Sequence, residues 1–112
     1  MLRDETIARV VQFRDARNWR QFHTPKDLAL SMTLEAAELL EVFQWSGADL
    51  ECTEKREQLK AELADVVTCC ILMADACGLD LDEIITEKMT RNEAKYPVEK
   101  AWGNAAKYTE LE

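Results

Sequence analysis

The sequence predicts an all-α protein, and three observations predict it. Backbone breakers are scarce, with three Gly and two Pro in 112 residues. Ala, Leu, Glu and Lys are abundant, and runs of β-branched residues are few. Apolar positions recur at helical spacing between recognisable helix start and stop signals.

Ile7, Val10, Val11 and Ala16 give the first helix its apolar positions, over residues 4–18. The connection from Trp19 to His23 mixes aromatic and polar groups. Thr24-Pro25-Lys26-Asp27 reads as a helix start: Thr24 as N-cap, Pro25 at the first helical position, and Asp27 completing a spacing like that of a capping box. The second helix extends to about residue 43, and residues 45–49 form a loop. A third helix begins near Glu54 with a charged first turn or two. Between Ala61 and Cys77 it becomes apolar at 13 of 17 positions, which predicts burial on most sides. Gly78 ends it as a C′ residue. Asp80 caps a fourth helix, with Glu83 three residues later. That helix carries Ile84, Ile85 and Met89 and stops before Pro97. The tail, residues 98–112, holds Trp102 and Tyr108 and gives no placement signal. By length this is one domain, 1–112, with a core over about 4–97. One wholly buried helix is hard to cover with three others in so short a chain. The sequence therefore predicts a homo-oligomer, dimer or larger, built on the third helix.

Composition excludes several roles. A formal charge of −8 argues against binding nucleic-acid polymers, which require a basic surface. It leaves a nucleotide open, because metal ions can carry the positive charge. The four cysteines form no C-x-x-C pair and there is one His, so a zinc site is not expected. Cys52, Cys69, Cys70 and Cys77 read as reduced, small core residues of a cytoplasmic protein. The N-terminus shows no apolar signal core. The apolar stretch is interrupted by Glu62, Asp65, Thr68 and Asp75, too short and too charged for a membrane span.

Two acidic motifs carry the chemistry, Glu35-Ala-Ala-Glu38 and Glu62-Leu-Ala-Asp65. Carboxylates three residues apart project from the same helix face. A single E-x-x-E is ordinarily a solvated face, and Asp27, Ser31, Glu35, Glu38 and Glu41 could simply form one. The third helix alters that reading, because Glu62 and Asp65 lie among Leu63, Val66, Val67, Ile71 and Leu72. No Lys or Arg occurs between Ala61 and Glu87 to compensate them locally. Paired on antiparallel neighbouring helices, the motifs form a four-carboxylate cluster that requires a counter-charge. An all-oxygen set without His suits Mg²⁺ better than Zn²⁺. Four carboxylates would repel a nucleoside triphosphate of about the same charge, and bridging cations would reconcile them. Glu35, Glu38 or Glu41 could then orient a water or accept its proton.

Further groups support this reading. Lys88, Asn92 and Lys95 share one face of the fourth helix and could hold phosphate oxygens, or simply form a solvated helix end. Trp19, Phe22, His23 and Trp45 flank the ends of the second helix. They could sandwich a base or act as a hydrophobic staple.

Taken together, the strings Asn18-Trp-Arg-Gln-Phe-His-Thr-Pro, Leu34-Glu-Ala-Ala-Glu through Trp45, Glu62-Leu-Ala-Asp65 and Lys88-Met-x-x-Asn92-x-x-Lys95-Tyr96-Pro97 resemble the MazG-like all-α nucleoside triphosphate pyrophosphohydrolases. The dCTP pyrophosphatase branch is the most similar, over residues 8–97. The resemblance implies a four-helix bundle completed by oligomerisation as a homodimer or homotetramer. It implies hydrolysis between the α- and β-phosphates, giving a nucleoside monophosphate and pyrophosphate, a house-cleaning reaction on the nucleotide pool. It implies Glu35, Glu38, Glu62 and Asp65 as ligands of Mg²⁺, with Mn²⁺ able to substitute. Lys88, Asn92, Lys95 and Tyr96 match the phosphate and sugar side, and Trp19, His23 and Trp45 the base pocket. One departure is Lys95, where an Arg is frequent in this motif; a point charge replaces a fork. The leading substrate expectation is dCTP or a modified dCTP. The alternatives are dUTP or a broad NTP range, and, in another class, a non-enzymatic helical module with an acidic face.

Overall fold

A computed structural model describes residues 2–111; Glu112, the end of the tail, and Met1 lie outside them. Every regular element among the described residues is helical. The four principal helices match the four expected: α1 (Asp4–Ala16), α2 (Pro25–Glu41), α3 (Arg56–Ala76) and α4 (Leu81–Lys95). A four-residue α5 (Val98–Ala101) and 3-10 turns at Arg20–Phe22 and Tyr108–Glu110 complete the list. No helix among the described residues is long and apolar enough to cross a membrane. The chain divides into two units, Met1–Leu79 and Asp80–Glu112.

In the first unit α2 packs along α3, and α1 also rests on α3. Leu28, Val42, Cys52, Ile71 and Ala74 form the buried apolar core. The expected cap of α2 is present, with Thr24 Oγ1 accepting from the Asp27 N–H at 3.1 Å and Pro25 just inside the start. The first helix ends two residues earlier than the apolar pattern predicts. Asn18 adopts a left-handed φ of 55°, and its N–H bonds to the Asp15 carbonyl at 3.0 Å. The Trp19 N–H bonds to the Arg14 carbonyl at 3.1 Å, completing a Schellman motif. Asn tolerates this conformation because its short polar side chain can bond locally. Helix α3 ends the same way at Gly78, φ 65°, with the Leu79 N–H on the Ala74 carbonyl at 2.8 Å. The expectation that α3 is buried on most sides is met only in its second half: Ile71 and Ala74 are buried, whereas Leu63 is 49% exposed.

In the second unit, Asp80 caps α4 by accepting from the Glu83 N–H at 3.0 Å, as its sequence predicts. Helix α4 ends at Lys95, two residues before Pro97. The tail then turns back on that end: the Tyr108 ring meets Tyr96 edge-on at 5.9 Å and carries the Lys95 ammonium at 4.7 Å from its centroid.

Candidate active site

Pairing of α2 with α3 brings the two acidic motifs together. One carboxylate oxygen from each of Glu35, Glu62 and Asp65 lies within 4.8 Å of the others. Glu38 adjoins this trio. A hydrogen bond that the protonated Glu35 donates to it is the first cause holding the Glu35 carboxyl above the usual range, followed by burial and the charges of Glu38, Asp65 and Glu62. Burial raises Glu62 first, then the charge of Glu38 and a hydrogen bond that the protonated Glu62 donates to it. Oε2 of Glu35 and Oε2 of Glu62 are each buried without a hydrogen-bond partner among the described residues. Buried carboxylate oxygens without donors are costly, and a hard cation is the partner that this all-oxygen set fits. Cys69, one turn beyond Asp65, borders the cluster, and burial followed by the charge of Glu35 pushes its thiol up.

A cavity of about 450 Å³ opens beside Asp65, between α1 and α3. Trp19 and His23 line it with Val10, Phe13 and Leu72, so the structure places an aromatic, mostly apolar chamber against one claw carboxylate. Sequence and local structure explain the placement, since the Schellman turn at Asn18 delivers Trp19 directly onto Phe13, ring to ring at 5.6 Å and 80°. The Nδ1 of His23 is buried without a hydrogen-bond partner among the described residues. Phe22 and Trp45 are not brought there; they are 62% and 83% exposed.

Glu41 lies in a separate cavity of about 200 Å³, shared with Glu38, Glu62, Lys55 and Gln58. Lys55 and Gln58 were not legible as site residues in the sequence, because both precede the apolar stretch, Lys55 as the N-cap of α3 and Gln58 in its charged first turn. Arg14 is a second residue without a sequence signal. It lines the large cavity, is 1% exposed, and bonds Asp75 at 2.6 Å and Asp15 at 2.9 Å. Lys88, Asn92, Lys95 and Tyr96 all belong to the second unit, on α4 and its C-cap, with Asn92 half-buried and the other three exposed.

The sequence pattern of the MazG-like family matches residues 30–111. Among curated proteins, dCTP pyrophosphatase 1 of Mus musculus is 37% identical over 113 residues, covering 96% of this chain and 66% of that protein. The Homo sapiens protein of the same name is 36% identical over the same span. The chain thus spans slightly under two thirds of these relatives' length. Among solved structures, a pyrophosphatase from Archaeoglobus fulgidus superposes with a TM-score of 0.77 at 40% identity, covering 84% of this chain and 91% of that one.

Proposed function

This chain belongs to the MazG-like family, and from that premise we propose that it hydrolyses a nucleoside triphosphate, foremost dCTP or a modified dCTP, to the monophosphate and pyrophosphate. The relatives named for dCTP pyrophosphatase support the reaction class. The observation that carries the reading is the convergence of Glu35, Glu62 and Asp65, two of them with buried oxygens that have no donor.

In this reading Glu35, Glu38, Glu62 and Asp65 hold Mg²⁺, with Mn²⁺ a substitute. A metal bound there would supply positive charge to the phosphoryl oxygens and would make the attacking water more acidic. The chain's own residues do the rest. Glu38 or Glu41, at the smaller cavity, orients the attacking water and accepts its proton. Water oxygen bonds to the α-phosphorus as the bond to the α–β bridging oxygen breaks, and that oxygen leaves with pyrophosphate. Trp19 and His23, which line the large cavity, hold the base, Trp19 by the face of its ring. Lys88, Asn92, Lys95 and Tyr96 take the phosphates and sugar, supplying donors that lower the charge developing on the leaving group. The substrate is a small molecule, the working protein is a homodimer or homotetramer, and residues 1–112 act as one domain in the cytoplasm.

The breadth of the large cavity, about 450 Å³, favours as second reading the same chemistry on a broader set of bases. Pyrophosphate release from each of the eight common NTPs and dNTPs, with Mg²⁺ and with EDTA, decides between them. Metal-dependent release concentrated on dCTP is the expected result; release across bases selects the second reading; none from any of the eight by folded protein leaves a modified dCTP as substrate or the non-enzymatic helical module.

A further inference from the structure

The tail of this chain has no place in the reaction as proposed, yet it contacts two residues that do. Within the second unit, Tyr108 sits with its ring 4.7 Å from the Lys95 ammonium, and the Tyr96 ring meets it edge-on at 78°. The backbone beneath is a 3-10 turn, with the Glu110 N–H bonded to the Lys107 carbonyl at 2.8 Å. An Asn104 side chain tightens the approach to that turn by accepting from the Ala106 N–H at 2.8 Å. Among the described residues, the ion pairs all involve other cations, and Lys95 has no carboxylate within 4 Å.

We infer that Tyr108 is a positioning residue that holds the Lys95 ammonium ready for the triphosphate. The inference rests on the reading of Lys95 as a phosphate contact. A lysine ends in a point charge on a flexible four-carbon stem, so it must give up rotamer freedom to grip one phosphate oxygen. The Tyr108 ring removes part of that freedom before substrate arrives, by attracting the cation to its face. A carboxylate in the same place would hold the ammonium too, but would cancel the charge that the phosphate needs. An aromatic face holds it and leaves the charge intact. Tyr96, edge-on to the ring, keeps that face turned toward Lys95.

The test is steady-state kinetics on dCTP with Mg²⁺ for the full chain and four variants: Tyr108→Phe, Tyr108→Leu, Lys95→Ala and the double variant Lys95→Ala/Tyr108→Leu. Tyr108→Leu raises KM about two- to fivefold, the range of an exposed cation–π contact, with kcat within about twofold of wild type. Tyr108→Phe keeps the ring and restores the wild-type KM. In the Lys95→Ala background the Leu substitution adds nothing, because the group it positions is gone. Three results overturn the inference: an unchanged KM in Tyr108→Leu, the same increase with Lys95 absent, or a Phe variant as poor as the Leu variant. A fall in melting temperature and kcat together, without a KM change, also overturns it in favour of a structural tail. Wild-type protein that releases no pyrophosphate sinks the catalytic reading and this inference together; active wild type with any of the other failures sinks the inference alone.

Discussion

Arg14 Nη1 donates to Asp75 Oδ2 at 2.6 Å across 61 residues of sequence, and ties α1 to the end of α3. Arg14 is 1% exposed, while the Asp75 side chain is 36% exposed. Removing the acid therefore leaves a buried guanidinium with only Asp15, at 2.9 Å, as partner. Breaking a fully buried pair costs about 3–5 kcal/mol. With Asp75 a third exposed and Asp15 retained, Asp75→Ala should cost about 2 kcal/mol. Urea denaturation of Asp75→Ala measures this. The double variant Arg14→Met/Asp75→Leu, with no charge left to bury, should recover most of the loss. A double variant as unstable as the single one would place the cost in packing rather than in the charge.

The acidic trio predicts opposite effects of one substitution with and without metal. Crowding and burial hold Glu35 above the usual carboxylate range, so its ionised form destabilises the metal-free fold. In EDTA, Glu35→Gln should melt higher than wild type. In millimolar Mg²⁺ the order should reverse, because only the wild type gains by binding. Asp65→Asn and Glu38→Gln should lose the Mg²⁺-dependent gain as well, with kcat reduced about 100-fold or more, as loss of a metal ligand or its support does. Differential scanning fluorimetry at several Mg²⁺ concentrations reads the stability half. Equal melting shifts with Mg²⁺ in wild type and Asp65→Asn would remove Asp65 from the metal set.

Asp49 predicts a pH dependence of stability. Its Oδ1 accepts from the Thr53 N–H at 2.9 Å and from the Thr53 hydroxyl at 2.8 Å, and its Oδ2 from the Glu54 N–H at 3.1 Å. The Thr53 backbone bond, then that of Glu54, holds its carboxyl below the usual 3.8. A carboxyl depressed in the folded state contributes stability that is present above its unfolded pKa and disappears as pH falls through the folded one. Wild type should therefore be more stable than Asp49→Ala at pH 7, and the gap should narrow as pH falls below 3.8 and close once it has passed through the depressed folded-state pKa. Paired denaturation curves across that range check it; a gap independent of pH would trace the effect to packing of the loop.

Trp19 and Trp45 look alike in the sequence, each beside an end of the second helix, but the structure separates them. Trp19 lines the cavity beside Asp65, whereas Trp45 is 83% exposed. Stacking of a base on an aromatic ring contributes about 1–3 kcal/mol, so Trp19→Ala should raise KM for dCTP by about 5- to 150-fold. Trp45→Ala should match it only if a second copy of the chain brings Trp45 into the site. Measuring both variants separates an intrachain base pocket from one shared between subunits.

Helix ends and claws were legible for a local reason. Thr24, Asp80 and Gly78 act on neighbours within four residues, and Glu35, Glu62 and Asp65 stand out by charge within apolar stretches. Asn18 was misjudged because its left-handed turn depends on backbone bonds to Arg14 and Asp15, which an apolar period does not encode. Arg14, Lys55 and the contact of Tyr108 with Lys95 were invisible for a related reason. Each acquires its role through a partner that only the folded chain brings near, and nothing in its own sequence neighbourhood distinguishes it from a solvated residue.

One face of α2 is apolar and exposed. Leu30, Leu34 and Leu40 are 54%, 67% and 71% exposed, and with Ala37 they follow three- and four-residue spacings along one side of the helix. Three large apolar side chains in a row exceed what scattered surface leucines explain, and soluble chains ordinarily cover such a stripe. Leu34→Glu and Leu40→Glu each add a charge that a contact between copies would have to bury without a partner. Sedimentation velocity should show wild type as a dimer or tetramer, and either variant shifted to a smaller species, the double variant most. Because Glu35 and Glu38 project from the same helix, dissociation should also lower kcat/KM. Unchanged sedimentation in the double variant would move the subunit contact elsewhere, with the exposed half of α3 around Leu63 as the next surface to substitute.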